Sequence, residues 1–301
     1  MWCNPSKGEG TVNDQESCES PVPRYECIPR ALPSLKKIKL VGEPPSGFVG
    51  GSQVHVCQRL SGTVYYATLF DTYGRLPVYS AFLYKYRAPK EPRGEGVDRS
   101  WKYEPQLADR QADSNMAELT EAVRKDAAVL RSQAVVAEEA GRRTHVKVLL
   151  NAANMQGSRG SRSATYTVTN ALAVPRPFYH LWKVGLKGVL GRLKGQCQAA
   201  DLHLVSGAVR SPRREEKWLP AKGKGRAAMP LLLWAAFCCG GRASEALLGH
   251  ARGSGSLTVS GLTLGPYETK NMPVAQLEEV LISRMGRSRL HIFKDGCAPP
   301  T

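Results

Sequence analysis

The sequence predicts an α+β fold with a central, largely antiparallel sheet flanked by helices. Strand-like and helix-like segments are mixed along the 301 residues without a regular strand–helix–strand repeat, which argues against a parallel sheet. The segment 63–86 has a hairpin pattern, and 42% of the residues are hydrophobic, enough for a packed core. We expect one domain over residues 41–301. It is preceded at 1–40 by a poorly ordered extension rich in Pro, Ser, Glu and Lys.

The first half of the domain should contain the hairpin, a short strand and a long helix. In 63–86, β-branched and aromatic residues flank a turn, and a short strand is expected at 100–107 after a polar loop at 89–98. Apolar residues at helical spacing then predict an amphipathic helix over 116–140. These apolar residues are Leu119, Val123, Ala127, Leu130 and Ala134, and the N-cap candidates are Asp113, Ser114 and Asn115.

The second half should add three strands and a late helix. Alternating apolar residues predict strands at 163–172 and 202–209, and a continuous apolar run at 231–239 predicts a fully buried strand. The basic segment 212–226 is interpreted as a solvated connection. Helical spacing predicts a helix at 272–286, and 290–297 closes the domain.

Charge points to an anionic partner. The chain has 42 Lys and Arg against 26 Asp and Glu, a formal net charge of +16, which favours nucleic acid or an acidic membrane surface. Residues 141–200 contain no Asp or Glu at all. That window therefore excludes a carboxylate acid/base pair and an Asp/Glu metal cage. It carries ten cations: Arg142, Arg143, Lys147, Arg159, Arg162, Arg176, Lys183, Lys187, Arg192 and Lys194.

The eight cysteines favour disulfides and a secretory route. They are even in number and scattered, and no CxxC pair supports a zinc ribbon or a thioredoxin-like site. The first ten residues show no apolar core of a signal peptide, so none is visible in this sequence. The apolar run at 229–239 is too short to span a bilayer, and no transmembrane segment is expected.

Several segments, in this order, resemble the endonuclease domain-containing 1 protein family, a vertebrate branch of the DNA/RNA non-specific endonucleases. They include the hairpin region, WKYEPQL, ATYTVTN and the tail IFKDGC, and lie at 55–84, 101–107, 132–135, 164–170, 181–183, 233–239 and 292–297. The resemblance implies a ββα-metal (His-Me finger) nuclease fold and a secreted protein. It also implies a Mg²⁺-dependent phosphodiesterase in which a histidine of an Asp-Arg-Gly-His motif activates water.

The motif that should hold the base is degenerate in this sequence. The family's Leu-Asn pair survives as Leu150–Asn151, which puts Val146–Leu149 at the Asp-Arg-Gly-His positions and Leu149 at the histidine. A competing register aligns Arg143-Thr144-His145 with Arg-Gly-His. It makes His145 the general base but needs roughly four inserted residues before Leu150. His145, Arg143 and Asn151 are thus the catalytic candidates.

The metal-binding motif is also altered. Asn170 matches the first residue of the family's Asn-x-x-Pro-Gln, and Trp182 matches a later tryptophan. Phe178 stands at the position of the metal-binding asparagine, and Leu186 stands where a glutamate is expected. Phe and Leu offer no oxygen to Mg²⁺, a cation that requires oxygen ligands. Asn154 and His180 could offer a replacement metal ligand, but neither aligns with a ligand position of the family's motifs. We therefore expect no metal ligand here, although the family uses Mg²⁺.

Three functions follow. The first is a nuclease-fold protein that binds nucleic acid with impaired or absent catalysis, the second an active Mg²⁺ endonuclease using His145. The third is a secreted, disulfide-stabilised protein that binds other polyanions. The phosphate-contact candidates are Arg75, Arg142, Lys147, Arg159, Arg162 and Lys183, of which Arg75 matches a family arginine near the hairpin.

Overall fold

The computed structural model describes residues 45–84, 96–133, 144–197, 202–219, 225–240, 243–293 and 297. The segment 1–40, expected to be an extension, and the loop predicted at 89–98 lie wholly or largely outside these ranges. The strands are β1 (Gln53–Leu60), β2 (Thr63–Asp71), β3 (Leu76–Tyr84), β4 (Lys102–Tyr103), β5 (Ala117–Glu118), β6 (His145–Leu149), β7 (Ala171–Pro175), β8 (Leu202–Arg210), β9 (Trp218–Leu219), β10 (Ala227–Ala228), β11 (Pro230–Cys238), β12 (Ser244–His250), β13 (Leu257–Val259), β14 (Leu262–Leu264) and β15 (Thr269–Met272). The helices are α1 (Pro105–Ala108), α2 (Glu121–Lys125), α3 (Ala127–Ser132), α4 (Arg159–Ala164), α5 (Arg176–Cys197) and α6 (Val274–Met285).

Seven strands form one antiparallel sheet in the order β1-β2-β3-β8-β11-β12-β15. The hairpin predicted at 63–86 is confirmed as β2 and β3, and the strands predicted at 202–209 and 231–239 are confirmed as β8 and β11. The turn between β2 and β3 places Arg75 in the left-handed region at φ +52°. The class is therefore α+β with a large antiparallel sheet, as the sequence predicted.

β11 is buried along its whole length because a helix covers each face of the sheet. Leu233 and Phe237 lie in the apolar cluster that contains α5, whereas Leu232 and Trp234 lie in the cluster that contains α6. Successive side chains of a strand point to opposite faces, so a strand between two helix layers must be apolar at every position. The helix predicted at 272–286 is confirmed as α6.

The single helix predicted over 116–140 is wrong. The structure has β5 and then two short helices, α2 and α3, separated by Asp126, which has an extended backbone at ψ 127°. The Asp126 carboxylate accepts hydrogen bonds from the backbone N–H groups of Ala128 and Val129 and so begins a new helix. The expected N-cap Asn115 instead accepts a hydrogen bond from the N–H of Gly62. Residues 134–140 lie outside the described ranges.

Two strand predictions also need correction. The segment 163–172 contains the end of α4, which Ser158 caps, then a 3₁₀ turn at Val168–Asn170 and only the first residues of β7. The strand predicted at 100–107 is reduced to β4, because Pro105 occupies the first turn of α1.

The sequence did not predict α5, the longest helix in the described part of the chain. Its buried residues Phe178, Trp182, Val189 and Leu193 face the sheet. A Cβ at Gly185 would come within 3.1 Å of Leu247 on β12, so the glycine allows close approach of helix and sheet.

Disulfides tie the end of α5 and the C-terminal segment to β11. Cys197 is bonded to Cys239, and the adjacent Cys238 is bonded to Cys297. Cys57 in β1 is also disulfide-bonded. The prediction of disulfides from the scattered cysteines is confirmed. No helix in the described ranges is both long enough and apolar enough to cross a membrane.

Candidate functional site

The candidate site is built on β6, β7 and α5. β6 and β7 pair antiparallel, with His145 opposite Pro175 and Leu149 opposite Ala171. The N–H of Arg176 donates to the carbonyl of Thr144 at 2.9 Å, so the pairing continues to the first residue of α5. Two antiparallel strands thus lead directly into a helix that packs beside them.

His145 is the first residue of β6 and lies next to the start of α5. Its ring is partly buried, and its Nδ1 lies 2.8 Å from the hydroxyl of Thr144. Burial and then the positive charge of Arg252 lower the pKa of His145 below its ordinary value of 6.5. The imidazole is therefore neutral at pH 7, which suits a base. Its hydrogen-bond partner in the described ranges is a hydroxyl and not a side-chain amide.

The positions that the family motif assigns to the base and the metal ligand lie in or against the apolar core. Val148 is 8% exposed, and Leu149 is partly buried. Phe178 is 0% exposed and stacks on Trp182, with ring centroids 6.1 Å apart. Leu186 packs against the same apolar cluster. The side chains of Val148, Leu149, Phe178 and Leu186 have no polar atom for water or a cation.

Two buried asparagines stand beside these positions. The side chain of Asn170 makes four hydrogen bonds: its Oδ1 accepts from Ser80 and from the N–H of Asn151, and its Nδ2 donates to the carbonyls of Asn151 and Thr165. The Oδ1 of Asn151 accepts from Gln156 at 2.7 Å. Both amide oxygens are therefore in use inside the protein.

These side chains do not fit a magnesium ion. The atom left without a hydrogen-bond partner is the Nδ2 of Asn151, a donor that a cation repels. Asn154 and His180 are exposed and contribute no oxygen-rich cluster. Within the described ranges, no three His, Cys, Asp or Glu side chains are grouped so that they could hold a metal ion.

The predicted phosphate contacts are dispersed. Arg75 is fixed inside the fold, because its Nε donates to the carbonyl of Arg131 at 2.9 Å and its Nη1 to that of Arg226 at 2.8 Å. The ammonium of Lys147 lies 3.5 Å from the ring centroid of Trp101. Arg75 and Lys147 thus have structural partners.

The remaining predicted cations lie on α4, on α5 or outside the described part. Arg162 on α4 donates to the carbonyl of Gln156 at 3.1 Å, and Arg159 at the start of the same helix is exposed. Lys183 on α5 is exposed, with its ammonium 5.9 Å from the ring centroid of Tyr179. Arg142 and Arg143 lie outside the described ranges. The paired role of Arg143 and His145 therefore stays a prediction.

A buried carboxyl group escaped the sequence predictions. Glu104 is 4% exposed, and its Oε1 accepts hydrogen bonds from the hydroxyls of Thr167 and Thr169, each at 3.2 Å. Burial raises its pKa to about 7 against the opposing effect of these hydrogen bonds. Gln58 donates to both Thr169 and Thr68, which extends the polar network across the sheet. The motif WKYEPQL was the available signal, but it gave no indication of burial.

Comparison with known proteins gives two relatives of the same description. The chain is 31% identical over 226 residues to the endonuclease domain-containing 1 protein of Homo sapiens, covering 72% of this chain and 42% of that protein. It is 29% identical over 217 residues to the protein of that description from Mus musculus, covering 66% of this chain and 37% of that protein. The chain thus spans about two fifths of the length of these relatives. No protein-family model matches the chain.

Proposed function

Because the chain belongs to the endonuclease domain-containing 1 protein family, we propose that it binds nucleic acid on a ββα-metal nuclease fold with phosphodiester hydrolysis impaired or lost. The unit of β6, β7 and α5 supports the fold, since two paired antiparallel strands lead into a helix, although α4 is inserted between the two strands. It also contains the segments that resemble the family's base and metal motifs.

The main observation in support of lost hydrolysis is the burial of Phe178. A residue that should present an oxygen to a cation is a fully buried aromatic ring stacked on Trp182. The position of the base at Val148–Leu149 offers only hydrocarbon. Removal of a positioned general base alone lowers the rate roughly 10²–10⁴-fold. Loss of the metal removes several kcal/mol of transition-state stabilisation as well, which lowers the rate on the order of a further 10³-fold.

Nucleic-acid affinity is supported by charge. The chain has a formal net charge of +16 and no carboxylate in 141–200. On α5 this window presents the exposed cations Lys183 and Lys187. Cations that contact phosphates release counterions, so the affinity should fall steeply with salt.

Two measurements on the purified full chain test the proposal. We expect no plasmid nicking above the buffer background, with Mg²⁺ or with EDTA, and the same result for His145→Ala. We expect a labelled oligonucleotide to bind with an affinity that falls at least about tenfold between about 50 and 200 mM salt. Mg²⁺-dependent nicking by the wild-type chain would reject the loss of hydrolysis, and salt-independent affinity would reject phosphate binding.

A second candidate is an active endonuclease with His145 as the base. The observation that favours it is a partly exposed imidazole at the first residue of β6, whose pKa is lowered by burial and then by the positive charge of Arg252. If this candidate is correct, the wild-type chain nicks plasmid, and His145→Ala abolishes nicking while the melting temperature is unchanged. His180→Ala is a suitable control because His180 is an exposed histidine of the same acid-free window.

A further inference from the structure

We propose that one end of the central sheet carries a site that stacks the unpaired bases of single-stranded nucleic acid. The site is the aromatic–arginine surface formed by Tyr73, Arg210, Arg213, Trp218 and Arg226. This inference rests on the proposed function, because it requires that the chain binds nucleic acid. It adds the location of the binding site and the single-stranded form of the nucleic acid. None of these residues belongs to the predicted site on β6, β7 and α5.

Three separate segments of the chain build this surface at the same end of the sheet. They are the turn between β2 and β3, the segment that follows β8, and the segment that precedes β11. Two backbone hydrogen bonds join them: the N–H of Ala228 donates to the carbonyl of Gly74 at 2.8 Å, and the N–H of Met229 to that of Lys217 at 2.7 Å. The surface is therefore held by the fold, although it is composed largely of loops.

A pair of aromatic rings is flanked on both sides by guanidinium groups across the surface. The guanidinium carbons of Arg210 and Arg213 each lie 5.0 Å from the ring of Tyr73. Tyr73 meets Trp218 edge to face at 5.8 Å, and the guanidinium carbon of Arg226 lies 4.6 Å from the ring of Trp218. This interleaving is the composition of single-strand binding surfaces, where rings stack bases and cations contact the backbone.

Two of the three acidic residues that the structure describes nearby pair with Arg210 of the surface itself, and the third, Glu215, is exposed and acts electrostatically on Arg252. Asp71 and Glu216 both bind Arg210, with N–O distances of 3.0 and 2.6 Å. Within the described part of the chain, no carboxylate lies at ion-pair distance from Arg213 or Arg226. These guanidinium groups therefore remain available to phosphate, although each rests on an aromatic ring.

A buried arginine next to the surface adds positive charge. Arg252 donates to the hydroxyl of Ser211 at 2.9 Å, and Ser211 directly follows Arg210. The Nη1 of Arg252 is buried with no hydrogen-bond acceptor in the described ranges. The guanidinium charge, which the carboxylate of Glu215 partly offsets, adds positive potential beside Arg210.

The exposure of Tyr73 favours single strands over duplexes. The ring is 42% exposed, and the planar guanidinium of Arg213, itself exposed, lies against it. A base is also planar, so it can replace the guanidinium on the ring while Arg213 turns to a phosphate. Bases in a duplex are stacked on one another and cannot reach the ring. A site of this kind therefore prefers unpaired nucleotides.

The test compares a labelled thymidine oligonucleotide with a duplex of the same length by fluorescence anisotropy, using the full chain at one salt concentration. We expect Tyr73→Ala to weaken the single strand about 5- to 100-fold and the duplex less than about twofold. Tyr73→Phe keeps the ring and should bind as the wild type does. We expect Arg213→Ala to weaken the single strand more than Lys187→Ala, which removes an exposed cation from α5.

The outcomes separate this site from the proposed function. If Tyr73→Ala binds both probes as the wild type does, with a steep salt dependence, the proposed function stands and the stacking site is rejected. If the wild-type chain binds neither probe, both are rejected. Heparin affinity that falls as much as single-strand affinity in Tyr73→Ala would identify a general polyanion site and also reject base stacking. Equal melting temperatures for the variants exclude misfolding.

Discussion

Asn151 and Asn170 are joined by two reciprocal hydrogen bonds in the buried centre of the protein. The N–H of Asn151 donates to the Oδ1 of Asn170 at 3.0 Å, and the Nδ2 of Asn170 donates to the carbonyl of Asn151 at 2.9 Å. The sequence resemblance matches both residues to motifs of the family, and in the structure Asn170 holds the C-terminal end of β6 against the residues before β7. Its side chain is committed to the fold.

We predict that Asn170→Ala is far more damaging to stability than Asn151→Ala. The first variant removes four hydrogen bonds and leaves buried backbone groups unsatisfied, which should cost at least about 3 kcal/mol. The second removes one side-chain hydrogen bond, from Gln156, and should cost about 1 kcal/mol. Urea unfolding measures both. Equal losses would mean that the reciprocal pair does not stabilise the fold.

We predict that Phe178→Asn does not restore a metal site. It replaces a fully buried ring that packs on Trp182 with a polar amide, and should lower the free energy of unfolding by about 4 kcal/mol. Phe178→Leu, the apolar control, should cost roughly half as much. Urea unfolding and plasmid nicking with Mg²⁺ test this. A stable Phe178→Asn protein that nicks plasmid would show that the position borders a working site.

Glu104 should make the protein less stable as pH rises. Its folded pKa of about 7 lies above the ordinary value of 4.5, so the folded state binds the extra proton. The stability from this group is therefore complete below pH 4.5 and is lost as pH rises through 7.

Glu104→Gln tests this linkage, because glutamine does not titrate. The stability of the variant relative to wild type should rise by about 2–3 kcal/mol between about pH 5 and pH 8. Urea unfolding at both pH values measures it. A constant difference would mean that Glu104 titrates alike in the folded and unfolded chain. Glu121→Gln is the control, since Glu121 is exposed and paired only with Lys125 in the described part.

Removal of the Cys197–Cys239 disulfide should destabilise the protein substantially. The bond closes a loop of 42 residues between α5 and β11, for which loop-closure entropy predicts about 4 kcal/mol. We expect the double variant Cys197→Ala/Cys239→Ala to have a lower urea midpoint than wild type under oxidising conditions. Reductant should abolish most of this difference. An unchanged midpoint without reductant would contradict the contribution of the disulfide.

Sequence patterns predicted those elements whose side chains carry a strong local period. β2, β3, β8, β11 and α6 were all predicted in this way. The sequence pattern failed where a single side chain changes the backbone, as at Asp126, which ends one helix and caps the next. It also failed for α5, which contains four glycines and is stabilised by packing on the sheet rather than by helix propensity.

The sequence by itself determined the family and the excess of positive charge, and it predicted which catalytic groups are missing at the motif positions. The identity of a side chain decides whether an imidazole or an oxygen is available, so Leu149 and Phe178 were informative without coordinates. Only the tertiary structure decided which cations are available to a ligand. Arg75 is bound by two backbone carbonyls from distant parts of the chain, whereas Arg213, in a segment interpreted as a solvated connection, lies on the exposed ring of Tyr73. Such contacts depend on long-range folding, which local sequence patterns do not encode.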